Sequence, residues 1–125
     1  MGWTKQELDT IEDADDFRIA PLREDGVTTG TPTFIWSVVA EGALYVRAYS
    51  GTESSWYRAA LRERAGRISV AGMTREVTFS PAEPELNDRI DAAYRAKYVS
   101  SRYLAPMVSD RARAATVRVD ADDND

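Results

Sequence analysis

The sequence predicts an α+β fold, in which six short antiparallel strands close toward a β-barrel and three or so accessory helices pack against it. Three observations carry this. Two β-branched and aromatic runs, Thr33–Val39 and Ala43–Tyr49, flank the short turn Glu41-Gly42, the signature of a hairpin. Two further runs, Arg67–Ala71 and Thr74–Phe79, flank a second glycine turn at Gly72-Met73. Segments of helical periodicity lie between and around these hairpins rather than alternating with single strands, so pairing is antiparallel.

The elements follow in order. Thr4 and Glu7 form a capping box, with Trp3 and Leu8 placed as a hydrophobic staple, and the helix runs to about Ala14 before Asp15-Asp16. Phe17–Ala20 alternates as a short strand does. Pro21 to Gly30 is a loop, punctuated by Pro21 and Asp25-Gly26. In Ala43–Tyr49, Leu44, Val46 and Ala48 face one side and Tyr45, Arg47 and Tyr49 the other. Ser54 and Ser55 are placed to cap a helix over Trp56–Ala65, with Gly66 as its C′ residue. Pro81 and Pro84 precede a helix whose Leu86, Ile90, Ala93, Tyr94, Lys97 and Tyr98 share one face, with Glu85, Asp88 and Asp91 in its amino-terminal half. An irregular or short helical stretch through Tyr103 and Met107 leads to a last strand, Ala115–Val119.

Composition bounds the chemistry. The chain has 125 residues, enough for one domain, and 43% hydrophobic with 30% charged residues is the balance of a globular protein. Residues 1–119 read as that domain and residues 120–125 as a disordered acidic tail. The formal charge of −5 owes much to this tail, where Asp120, Asp122, Asp123 and Asp125 face no base; the body is near neutral. No basic footprint for nucleic acid is present, and no apolar run approaches the roughly 20 residues that span a bilayer. The polar start of the chain does not read as a secretory signal, so a cytoplasmic location is expected. With no cysteine and no histidine there is no disulfide, thiolate nucleophile, Cys/His zinc site or imidazole base. Redox chemistry carried by an organic cofactor remains open.

The residues that could form a site cluster where the third strand hands over to the central helix. A helix start exposes free N–H groups and partial positive charge, which suits phosphate. Arg47 precedes the loop and Arg58 lies one turn into the helix, so both are candidates for charge-assisted bonds to an anion. Tyr45, Tyr49, Trp56 and Tyr57 offer flat surfaces for a ring. The same serines would cap a helix, and the same tryptophan would fill a core, with no ligand at all.

Four runs, Pro21–Gly26, Gly30–Val39, Gly42–Tyr49 and Arg75–Phe79, together with Asp91–Tyr98, resemble the bacterial family catalogued as domain of unknown function 2255. The likeness extends over nearly the whole chain apart from the acidic tail. That family is grouped with the FMN-binding split barrels, which include pyridoxamine-phosphate oxidases and deazaflavin-dependent nitroreductases. The resemblance implies a six-stranded split β-barrel, a homodimer, and FMN or a deazaflavin coenzyme bound at the subunit interface. It implies phosphate contacts from Arg47, Ser54, Ser55 and Arg58, and ring contacts from Thr31, Thr33, Trp36, Tyr49 and Trp56. The Trp56-Tyr57 pair matches the nitroreductases, whereas their following Asn is replaced by Ala59-Ala60. A flavin- or deazaflavin-dependent oxidoreductase is thus expected. A ligand-binding module without turnover and a dimeric structural protein with a degenerate pocket are the alternatives.

Overall fold

The computed structural model describes residues 3–122. Thr4 starts helix α1 (Lys5–Glu12) with both halves of the capping box in place: its hydroxyl accepts from Glu7 N–H, and the Glu7 carboxylate accepts from Thr4 N–H. Trp3 adds a long-range tie, its indole N–H donating to the Val119 carbonyl at 2.9 Å. Leu8 and Ile11 turn the apolar face of α1 into the core.

Seven strands follow: β1 (Arg18–Pro21), β2 (Thr33–Phe34), β3 (Ser37–Ala40), β4 (Ala43–Arg47), β5 (Ala65–Val70), β6 (Met73–Pro81) and β7 (Thr116–Ala121). They form one sheet in the order β2-β1-β5-β6-β7-β4-β3, with every pair antiparallel. The two edge strands, β2 and β3, are consecutive in the chain and separated only by Ile35 and Trp36. Three Cα–Cα steps span no more than roughly 11 Å. The edges must therefore approach each other, and the sheet curls into a half-barrel.

The predicted strand Thr33–Val39 is thus two strands. Its first end pairs with β1 (Arg18 opposite Phe34) and its second with β4 (Ser37 opposite Val46), so the chain changes partner at Ile35-Trp36. A uniform β-branched run conceals such a switch, because propensity reports extended backbone and not the identity of the neighbour.

Both predicted hairpins are present. Glu41-Gly42 (φ 51° and 74°) and Ala71-Gly72 (φ 51° and 80°) are the two-residue turns, with positive φ at both positions as a type I′ turn requires. The second turn sits one residue earlier than Gly72-Met73.

Helix α2 (Ser55–Glu63) ends on Arg64, which takes the left-handed conformation (φ 62°) expected of Gly66. Gly66 belongs instead to β5, where a Cβ would lie 2.6 Å from the Ala20 carbonyl oxygen and 2.7 Å from Pro21 Cα. It is a glycine because two backbones approach there. Helix α3 (Asn87–Lys97) presents the predicted apolar face, and the short helices α4 (Leu104–Met107) and α5 (Asp110–Arg113) complete the carboxyl-terminal half.

Burial divides into two cores. Inside the curl, Leu44, Val46, Ile68, Val77, Phe79, Val117 and Val119 pack with residues of α1 and α2. On the other side of β3–β4, Val38, Ala43 and Tyr45 pack with Ile90, Tyr94 and Met107. Strand β4 is buried along its whole length, so the predicted alternation is correct but neither face looks at solvent. The start of the predicted tail is ordered: Asp120 and Ala121 belong to β7, and Asp122 N–H donates to the Glu76 carbonyl at 3.0 Å. The rest of the predicted tail, residues 123–125, lies outside the described residues. Among the described residues no helix is long and apolar enough to cross a membrane.

Candidate functional site

The β2–β3 switch, the end of β4 and the start of α2 converge on a cavity of about 500 Å³. Six of the predicted site residues line it: Thr33, Trp36, Arg47, Tyr49, Ser54 and Trp56. Thr31 and Ser55 line a second cavity of about 360 Å³, which shares Thr33 and Trp56 with the first. Arg58 is exposed on α2 and lines neither. Phe34, Ile35, Ser50, Tyr103 and Met107 also line it, and none of them is among the site residues the sequence predicts. The partner switch at Ile35-Trp36 is what presents the first two. Met107 arrives from α4, a distance no local pattern reveals.

The aromatic lining is held in place from behind. Trp36 stacks on Tyr98 with ring centroids 3.9 Å apart and planes 4° from parallel. The Tyr98 hydroxyl is fixed in turn against the backbone of Ser37, accepting from its N–H and donating to its carbonyl, each at 3.2 Å. Burial pushes the Tyr98 hydroxyl up to about 12, so it stays a neutral donor. Tyr49 and Tyr103 meet edge to face at 6.4 Å, and both are about half exposed. Tyr45 lies elsewhere, in the second core beside a third, more polar cavity with Arg118 and Glu83.

The Arg47 guanidinium is not free for an anion. Although it borders the cavity, it is buried, and five hydrogen bonds match its five N–H donors. Nε donates to Thr116 Oγ1 (3.0 Å), Nη1 to Asp91 Oδ1 and the Met107 carbonyl (3.1 Å), and Nη2 to the carbonyl and side chain of Asn87 (both 3.3 Å). Its Cζ also sits 5.3 Å from the Tyr94 ring centroid. The expectation of an outward-pointing, anion-seeking Arg47 is corrected: α3 packs against β4 and supplies Asp91, and an uncompensated buried charge would be costly. Asp91, in the amino-terminal half of the helix as predicted, is buried between Arg47 and Arg113 rather than on a solvated face.

Ser54 occupies the N-cap position of α2 with extended backbone, but its hydroxyl makes no capping bond. It lines the first cavity as a free polar group, whereas a conventional cap was expected. Aromatic rings, two serine hydroxyls (Ser50 and Ser54) and one internally neutralised arginine thus define a concave site for a flat, largely apolar molecule.

These features describe a small α+β protein with a curled antiparallel half-barrel and an aromatic pocket where the sheet edges meet. The chain belongs to the family described as uncharacterized protein conserved in bacteria (DUF2255), whose model matches residues 7–119. Its structure is similar to the crystal structure of the conserved hypothetical protein Rv2991 from Mycobacterium tuberculosis, with a TM-score of 0.61 at 19% sequence identity over 94% of this chain and 79% of that one. At that identity the likeness extends to the fold. No curated protein matches the chain.

Proposed function

We propose that the protein is a flavin- or deazaflavin-dependent oxidoreductase on a six-stranded split barrel, β2 and β3 counting as one bent strand. The observation that carries this reading is the convergence of Thr33, Trp36, Tyr49, Ser54 and Trp56 on one cavity. The cavity fits a tricyclic ring. Its volume lies within the range of small-molecule sites, and its walls are mainly aromatic and aliphatic. Trp36, backed by Tyr98, and Trp56 would sandwich or edge the ring, and the hydroxyls of Ser50 and Ser54 would meet its polar substituents. The bound flavin would supply hydride or electron transfer, and the chain would orient it and exclude water. The exposed rings of Phe34, Tyr49 and Tyr103 at the mouth support a homodimer that covers the site.

A ligand holder without turnover is the second reading. Among the described residues no Asp, Glu or Lys lines the first cavity, so none of its described side chains is suited to move a proton at neutral pH.

Titration of the protein with FMN and with a deazaflavin tests the site, because Trp36 and Trp56 should report binding as saturable quenching of tryptophan fluorescence. Unchanged fluorescence with both would end the flavin reading. Reduction of the bound flavin by a nicotinamide nucleotide separates enzyme from holder, and size-exclusion chromatography tests the dimer.

A further inference from the structure

If the cavity takes a flavin ring, the negative group attached to that ring needs a cation, and Arg47 is already occupied. Two other arginines lie against rings that line it. The Arg111 guanidinium lies 5.7 Å from the Tyr49 ring centroid and that of Arg102 lies 5.1 Å from the Tyr103 ring, and both tyrosines line the cavity. Since Tyr49 and Tyr103 meet edge to face with centroids 6.4 Å apart, both arginines lie against one aromatic pair. We infer that Arg102 and Arg111 form an anion clamp that takes the phosphate of a planar, phosphate-bearing ligand seated in the aromatic cavity.

Three features support the clamp, which rests on the proposed ring-binding role of the cavity. The chain has 21 acidic against 16 basic residues, yet among the described residues no carboxylate reaches ion-pair distance of Arg102 or Arg111. Apart from one bond from Arg102 Nη2 to the Tyr103 hydroxyl (3.0 Å), their forked donors have no acceptor among the described residues. Arg111 is also preset. Its stem crosses Gly51, where a Cβ would lie 2.5 Å from Arg111 Cγ, so only glycine leaves that path open. Gly51 sits between Ser50 and Ser54, whose hydroxyls line the same cavity. Stacking on an aromatic face leaves the edge of a guanidinium free for bidentate bonds to phosphate.

The test compares FMN with riboflavin, which carry the same ring with and without the phosphate. The intact protein should bind FMN at least about tenfold more tightly, as befits charge-assisted hydrogen bonds, and the advantage should shrink as salt is raised. In the Arg102→Ala/Arg111→Ala double variant, FMN affinity should fall to that of riboflavin while riboflavin affinity stays unchanged, and the Lys/Lys variant should recover part of the loss. Equal affinity for the two flavins in the intact protein, or an FMN preference that survives in the double variant, would overturn the clamp and leave the ring site standing. Failure of both flavins to bind would overturn the ring site and the clamp with it.

Discussion

Nη1 of Arg47 donates to Oδ1 of Asp91 beneath the aromatic cavity, and the two side chains are 0% and 8% exposed. This bond ties the end of β4 to the middle of α3, and Arg113 Nε, 3.5 Å from the other Asp91 oxygen, brings α5 into the same cluster. Asp91→Ala would leave a buried guanidinium without its counter-charge, a loss of about 3–5 kcal/mol. Arg47→Met should cost less, because Asp91 keeps Arg113 and the methionine stem fills much of the space. Urea unfolding of the two variants measures the order. An Asp91→Ala protein as stable as the parent would contradict the cluster's structural role.

Gly66 gives a second prediction, from sterics alone. Its Cβ would meet the Ala20 carbonyl oxygen, Pro21 Cα and the Phe79 ring at 3.0 Å or less, and the first two are backbone atoms that cannot swing aside. Gly66→Ala should destabilise by about 1–3 kcal/mol, the usual cost of overpacking. Gly72→Ala meets no atom within 4 Å and suffers only from its positive φ, so its cost should stay near 1 kcal/mol. Thermal melts of both variants should rank Gly66→Ala as the more severe.

Trp56 is the natural probe of the pocket, since it borders both cavities. Trp56→Ala should weaken flavin binding by about 1 kcal/mol beyond the lost contact area, roughly fivefold in Kd. Arg58→Ala, on the exposed side of α2, should leave the affinity unchanged. Isothermal titration with FMN gives both values, and equal losses in the two variants would mean that the ring sits elsewhere.

The local features of this fold were legible in the sequence because local chemistry specifies them. The Thr4–Glu7 capping box, the Glu41-Gly42 turn and the apolar face of α3 each depend on residues a few positions apart. The cavity was legible in part for the same reason: Tyr49, Ser54 and Trp56 adjoin one strand–helix junction. What stayed hidden is set by distant partners. Arg47 reads as a free cation until α3, 44 residues on, delivers Asp91. The division of Thr33–Val39 depends on which strand each end finds. Gly66 suits a helix end as well as a strand crossing, and only the nearness of β1 decides between them.

The buried tyrosines make alkaline pH the sharpest test of the second core and of the support behind Trp36. Burial raises the Tyr98 hydroxyl to about 12, the Tyr94 hydroxyl further, and the Tyr45 hydroxyl above its ordinary 10. Each is raised in the folded state, so each contributes stability that is complete below about pH 10 and lost as pH rises through the folded value. Unfolded chains release those protons first, and the slope of stability with pH is negative from about 10 upward. Lys97 works the other way, because burial lowers its ammonium below 10.5 and its share of stability rises as pH climbs toward that value. Three tyrosines outweigh one lysine, so stability should hold to about pH 10 and then collapse. The rise of tyrosinate absorbance should coincide with the loss of far-ultraviolet circular dichroism. Tyr98→Phe, which cannot ionise, should move the collapse to higher pH, and an unshifted transition would show that Tyr98 does not hold the Trp36 side of the pocket closed to water.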